Sequence, residues 1–364
     1  MKNNMETTLD ITFQDIDYSA LRQGLNADND QYGIINHEYD NRRLIFLQNP
    51  NLVDDEKPYM YVAYADGIPV ARCMYHETKI MINHQIHPAL SGSSLSVVKD
   101  YRKYAIGADI MVHNTFRDDY DYKIFAGTSA MALPLFKKLK YKTLFIPRYI
   151  LRYNYKTKIK QKGFRGLCLK GMTIVANTCL NYKYHFRNHY KRLSNRFSVV
   201  KLDTVPEWVD DIVLNDGHQY MEVHDHRWLQ WNLTGCFSGK PQQFQSFYGI
   251  FDGDKPVGFF LTKERLEEST GLKTGGIYEW GSIDEGVLSE ADIYELANPT
   301  FSKDIYIIDA GTVNNATVER MKRIGFKYAS DENIVFYSSQ KQNKDIHDAS
   351  LWRLRLGYAD TLFY

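Results

Sequence analysis

Val97-Val-Lys-Asp-Tyr-Arg-Lys-Tyr-Ala-Ile-Gly-Ala108 carries a strand's apolar ending into a short basic loop and straight on into a helix. At such a junction the first N–H groups of the helix have no intrahelical acceptor, and together with the positive end of the helix dipole they converge on one point. A diphosphate fits there. Ala105, Gly107 and Ala108 are small enough to let the backbone approach phosphates, and Arg102 and Lys103 add positive charge. The same spacing also describes a plain tight strand-to-helix turn.

Working outward, the segment sits in an alternation of elements. Leu9 to Phe13 reads as a strand, and Ile34 to Leu47 as mostly helix, closed by Asn49-Pro50. Tyr59 to Tyr64 and Pro69 to Met74 flank Asp66-Gly67 as a hairpin, and Lys79 to His87 and Leu90 to Val98 follow as strands. Ala105 to Phe116 is expected as helix, Tyr122 to Phe125 as strand, Ala130 to Leu139 as helix and Thr143 to Tyr153 as strand. Strand-rich first and βαβα afterwards, this is a mixed α/β (α+β) sheet protein.

The pattern occurs twice, about 186 residues apart. Tyr61-Val-Ala-Tyr-Ala-Asp-Gly-Ile-Pro-Val-Ala71 returns as Tyr248-Gly-Ile-Phe-Asp-Gly-Asp-Lys-Pro-Val-Gly258, and the segment from Ser129 to Tyr141 is echoed from Asn314 to Phe326. In the second stretch Trp208 to Met221 and His226 to Asn232 read as helices, and Gly276 to Ile283 as a strand. The expected organisation is one domain over 1–154, a basic helical linker over 155–196, a degenerate second copy over 197–340 and a tail over 341–364.

Composition bounds the classes. With 44% hydrophobic and 14% aromatic residues, 364 residues fill real cores, which excludes a disordered chain. No apolar run approaches the ~20 residues of a membrane span, and the polar start from Met1 to Asp10 is unlike a signal segment, so a cytoplasmic location is expected. Cys73, Cys168, Cys179 and Cys236 lack Cys-x-x-Cys spacing. His218, His224 and His226 do not share a helix face, so no metal is expected. The net charge of +1 hides an asymmetry: Tyr122 to Lys201 holds 19 Lys and Arg and no acid, leaving about −18 on the remainder. Solvated helix faces account for this, as does an anionic partner such as nucleotide phosphates, acidic lipid headgroups or nucleic acid.

Arg102-Lys-Tyr-Ala105-Ile-Gly107 resembles the Arg/Gln-x-x-Gly-x-Gly/Ala motif of the GNAT superfamily of acyl-coenzyme A-dependent N-acyltransferases, with Val97 and Tyr101 in the expected places. Ser129, twenty-two residues after Gly107, heads a helix similar to the family's second motif. The whole chain resembles bacterial tandem-GNAT proteins of surface-polysaccharide gene clusters, down to Trp228-Leu-Gln-Trp231 in the second copy.

The resemblance implies an acyl-coenzyme A co-substrate, with acetyl as the favoured acyl group, held by Leu95, Val97, Val98, Arg102, Lys103, Tyr104, Ala105, Ile106, Gly107, Ala108 and Ser129. It implies transfer to a primary amine, with an amino sugar, free or nucleotide-linked, as the favoured acceptor. Glu77, His87 and Ser93 are the catalytic candidates near the floor of the site, the first two as bases and the serine to position water or a substrate hydroxyl. Backbone N–H groups around Leu95 to Val97 would polarise the thioester carbonyl.

The chain also departs from the pattern. Ala105 and Lys140 replace family glycines, and Phe136 and Met321 stand where many members carry a tyrosine that protonates the leaving thiolate. The acidic stretch from Gly281 to Pro299 lacks the phosphate motif. Two alternatives stay open: an aminoacyl-transfer-RNA-dependent transferase, whose basic stretch grips RNA, and a non-catalytic scaffold. Nucleic acid is not the expected partner; the basic linker is expected to pack as an inter-domain helix, with peripheral membrane contact as its alternative.

Overall fold

A computed structural model describes residues 9–25, 29–35, 45–152, 164–185, 188–234, 243–267, 271–340 and 345–358. In the first half the order is β1 (Ile11–Asp17), α1 (Tyr18–Gln23), β2 (Pro58–Ala65), β3 (Ile68–Ile82), β4 (Gln85–Val97), α2 (Ile106–Phe116), β5 (Tyr122–Ala126), α3 (Leu133–Lys138) and β6 (Lys142–Arg152). Helices α4 (Phe164–His185) and α5 (Asn188–Arg196) follow. The second half continues with β7 (Phe197–Leu202), α6 (Trp208–Leu214), β8 (Tyr220–Glu222), α7 (His226–Thr234), β9 (Gln243–Asp252), β10 (Lys255–Glu267), β11 (Leu272–Ser282), α8 (Glu290–Ala297), β12 (Ile307–Gly311), α9 (Asn315–Ile324) and β13 (Lys327–Ser338).

Turn chemistry sets the hairpins. Asp66 and Gly67 both take positive φ between β2 and β3, the conformation a tight two-residue loop requires. Asn83 and His84 do the same between β3 and β4, so the expected strand from Lys79 to His87 is interrupted there, and asparagine is a residue that tolerates it. The helix expected from Ala130 begins only at Leu133, because Pro134 belongs in a first turn. The helix expected from Trp208 to Met221 stops at Leu214, before Asn215-Asp-Gly217, and its last residues pair with β3 as β8. Most of the helix expected over Ile34 to Leu47 lies outside the described residues, as do parts of the basic linker and of the tail.

The strands form one mixed sheet in the order β1-β2-β3-β4-β5-β13-β6-β12-β11-β10-β9-β7. Each half contributes an antiparallel run ending in one parallel pair, β4 with β5 and β11 with β12. At the centre β13 pairs with β5, and β6 pairs with β12, so each half is continued by the last strand of the other. One core cluster mixes Met60, Val62 and Met74 with Trp228, Trp231, Phe247 and Phe259, which ties the halves together by apolar burial as well. The segment from Trp352 to Tyr358 threads between them, and Trp352, Arg353, Leu354, Arg355 and Tyr358 are all buried.

Candidate active site

The parallel pairing of β4 and β5 is brief. Ala89, Leu90 and Ser91 face Tyr122, Lys123 and Ile124, after which the two strands separate. Two local features hold them apart. Ser94 has φ 50°, and because Arg72 faces Ser96 while Met74 faces Ser93, an extra residue of β4 lies opposite Cys73 as a β-bulge. At Gly92, an added Cβ would lie 2.1 Å from the Phe125 ring, so that aromatic fills the space on the α2 face.

Into the opening on the other face comes a cavity of about 410 Å³. It is lined by Ser93 and Ser94 of β4, Ala126 and Gly127 at the end of β5, Arg148, Arg265, Tyr278, Asp309, Glu332 and the tail residues Arg355 and Tyr358. The cavity therefore adjoins the carboxyl ends of a parallel strand pair, the usual place for a ligand in such sheets. Ser91 and Ser93 are buried, and their hydroxyls have no hydrogen-bond partner among the described residues. A buried hydroxyl without a partner costs free energy, which a ligand bound there would recover.

Beyond β4 the chain forms a 3₁₀ turn over Lys99–Tyr104, and Arg102 Nε donates to the Val97 carbonyl at 3.1 Å, pinning the loop. Ala105 adopts the left-handed conformation (φ 59°, ψ 14°) and starts α2 without any side-chain cap. Lys99, Arg102, Lys103, Tyr104 and Ala105 are exposed, and Ile106 is buried beneath them. At Gly107 an added Cβ would lie 3.1 Å from Val97 Cγ2, so a larger residue would crowd this junction. Leu95, Val97 and Val98 are half-buried on the approach, and Ala108 N–H closes the first turn on the Ala105 carbonyl. Ser129 is exposed beyond β5, where its Oγ accepts from Ala132 N–H. These residues leave a basic, uncapped helix start that suits a diphosphate.

The corresponding helix start in the second half is already occupied by its own side chains. Ser289 caps α8 in a reciprocal box with Asp292, whose carboxylate also receives Arg320 at 2.6 Å. Burial works against ionisation there, but Ser289 and Arg320 hold the Asp292 carboxyl below the ordinary carboxylate value.

The three expected catalytic residues are not brought together. Ser93 lines the cavity. Glu77 is buried in β3, where it accepts hydrogen bonds from Tyr120 Oη and from Val53 N–H; burial raises its carboxyl above the ordinary value. His87 lies near the start of β4, its ring 5.1 Å from Tyr122. Phe136 packs in the core at 5.0 Å from Phe125 and 4.9 Å from Tyr141, whose hydroxyl is taken up by Asn114 and Thr115.

The acidic residues of the cavity come from elsewhere. Burial raises the Asp309 carboxyl above its ordinary value although Arg148 Nε lies 3.4 Å away. Sequence reasoning passed over Asp309, Arg148, Arg265 and Tyr278; the available signal was an acid closing the apolar run from Ile305 to Ile308. Behind the cavity a buried network runs from Thr78 through Glu222, His224 and Glu279 to Arg355. His218 and His226 turn to Asp216 and Asp210 instead, and among the described residues no group of three or more metal-ligating side chains is assembled.

The chain superposes on a GCN5-related N-acetyltransferase from Anabaena variabilis at 10% identity with a TM-score of 0.53, covering 90% of this chain and 72% of that one. The chain has the GCN5-related N-acetyltransferase fold. A probable N-acyltransferase from Enterococcus faecalis superposes with a TM-score of 0.54 at 12% identity, covering 90% of this chain and 72% of that one. N-myristoyltransferase from Saccharomyces cerevisiae, solved with bound myristoyl-CoA, gives 0.50 at 11% identity over 92% and 86% of the two chains. No protein-family model matches the sequence, and no curated protein matches it. In this fold the basic helix start at Ala105 and the separated β4 and β5 lie at the two ends of one continuous strand-to-helix path.

Proposed function

We propose that the protein is an acyl-coenzyme A-dependent N-acyltransferase. The observation that carries this reading is the junction of the uncapped basic helix start at Ala105 to Ala108 with the β4–β5 opening that borders the cavity. Arg102, Lys103 and the first N–H groups of α2 would hold the pyrophosphate, and Leu95 to Val98 would guide the thioester toward Ser93 and Ser94. Backbone N–H groups at the β4 bulge would stabilise the developing oxyanion. With phenylalanine at position 136 and the Tyr141 hydroxyl engaged elsewhere, the leaving thiolate takes its proton from solvent.

In this reading the chain is a duplication whose units span 1–154 and 197–340, and only the first binds the acyl donor. The capping box of α8 supports that division, because its anion site carries its own carboxylate. The acceptor is an amino sugar, free or nucleotide-linked, handled in the cytoplasm as part of surface-polysaccharide synthesis. The linker helix α4 contacts the membrane surface peripherally: Met172, Ile174 and Val175 are exposed within the acid-free stretch, while among the described residues no helix is long and apolar enough to cross a bilayer.

Thermal unfolding with and without acetyl-coenzyme A tests the donor assignment. A wild-type shift of several degrees that Arg102→Ala combined with Gly107→Glu abolishes is expected. A shift unchanged in the double variant, or absent from the wild type, refutes it. Binding to transfer RNA that collapses with salt, without a coenzyme A response, would transfer the basic stretch to the RNA-dependent reading.

A further inference from the structure

The charges around the cavity are unevenly matched. Arg355 is neutralised from behind by Glu279 at 2.7 Å. Arg148 serves two carboxylates at once, with Nη1 3.0 Å from Glu332 and Nε 3.4 Å from Asp309. That side of the cavity therefore has one more carboxylate than it has cations. Asp309 sits on β12 between β6 and β11, and its side chain is about one-seventh exposed, 14%, so it faces the cavity without being freely hydrated.

A surplus positive charge lies on the same lining. Arg265, exposed near the end of β10, lines the cavity and is near enough for its charge to favour ionised Asp309, yet it has no acidic partner within ion-pair distance among the described residues. The neighbouring acid Glu264 is already committed to Lys273 at 3.0 Å and to Ser302. The neighbouring cation Lys263 turns inward over the Tyr278 ring at 5.5 Å. Tyr278, Tyr358 and Asn333 complete the polar lining. A ligand complementary to this space is positive toward Asp309 and negative toward Arg265.

We propose that the acceptor is an amine that also bears an anionic group, with its nitrogen held at Asp309 and its anion held by Arg265. This rests on the acyl-transfer reading above and adds the acceptor's charge pattern to it. The ammonium form sheds one proton through Asp309 to solvent. The nitrogen lone pair then forms the C–N bond to the thioester carbonyl carbon as the C–S bond opens. The second nitrogen proton is lost and one proton ends on the thiolate sulfur, so the products are the amide, the free thiol and one proton. No redox step or further reactant is needed. A carboxylate and a phosphate both satisfy Arg265, because a guanidinium binds either through paired N–H donors.

Full-length protein assayed for thiol release from acetyl-coenzyme A tests this with two matched pairs of acceptors. Glucosamine 6-phosphate against glucosamine reads the phosphate, and L-serine against L-serinamide reads the carboxylate. The wild type is expected to favour the anionic member of at least one pair by about tenfold or more in kcat/KM, and the pair that discriminates identifies the anion. Arg265→Ala is expected to raise KM for that member about tenfold and to affect its neutral counterpart several-fold less, and Arg265→Lys to restore part of the difference. Asp309→Asn is expected to depress kcat/KM for charged and neutral members alike. Retained stabilisation by acetyl-coenzyme A shows that each variant is folded.

Equal rates within both pairs overturn the proposal. So does Arg265→Ala acting equally on both members, or no reaction of either anionic amine while acetyl-coenzyme A still stabilises the wild type. Absence of that stabilisation in the wild type instead overturns the donor reading, and the acceptor proposal with it.

Discussion

Arg355→Met removes one cation from a fully desolvated network. Its guanidinium lies 2.7 Å from Glu279 and donates to the Glu222 carbonyl at 2.7 Å, and the two side chains are 2% and 1% exposed. At that separation an effective dielectric of about 20 gives roughly 6 kcal/mol of direct attraction, an upper bracket because desolvation opposes it. Methionine replaces the apolar stem but leaves Glu279 with His224, at 2.7 Å, and the more distant charge of Arg353. The expected loss is therefore about 3–5 kcal/mol, a large share of an ordinary domain's stability.

Urea unfolding at pH 7, followed by tryptophan fluorescence and far-ultraviolet circular dichroism, measures that loss. Adding Glu279→Gln should recover part of it, with a coupling of about 2 kcal/mol in the double-mutant cycle. Glu279 is buried, which alone would raise its carboxyl, but Arg355 and His224 hold it below the ordinary value of 4.5. Its contribution is thus present above that value and lost as pH falls through the lower folded-state value, so wild type and variant should converge in acid. A cost below about 1 kcal/mol, or strict additivity with Glu279→Gln, would refute the network as a unit.

Glu290 gives the opposite pH dependence. Burial pushes its carboxyl up to about 7 despite hydrogen bonds from Thr312 and Tyr294, so the folded state favours the protonated form. Wild-type stability should fall between pH 4.5 and 7 and level off above, whereas Glu290→Gln should lack this slope and gain up to about 3 kcal/mol at pH 8, measured by denaturant titration at pH 5 and pH 8. Gly92→Ala should cost about 1–3 kcal/mol by thermal unfolding, since the new Cβ would lie 2.1 Å from a Phe125 ring that is backed by Phe136.

Much of the local architecture was legible because local chemistry sets it. Asp66-Gly67 placed a hairpin, and the change from strand to helix across Val97 to Ala108 placed the loop that lies at the β4–α2 junction. Alternation along β3 and β4 was readable, but the turn at Asn83-His84 was hidden inside an apolar run. The candidate cavity was legible only in part. Ser93 lines the cavity, whereas Glu77 and His87, chosen for their nearness in sequence, belong to other parts of the sheet.

By itself the sequence determined that this chain is a mixed α/β protein with a basic, small-residue helix start at Arg102 to Ala108 and a weaker echo of the same plan downstream. Periodicity and turn preference act over a few residues, so they survive in a linear reading. Only the tertiary structure decided that β13 lies between β5 and β6, that the arginines Arg353 and Arg355 are themselves buried, and that Asp309 and Arg265 face one cavity. Those relations join residues tens to hundreds of positions apart. Which strand edges meet, and which charges must find partners on leaving water, depends on how the whole sheet closes rather than on any single segment.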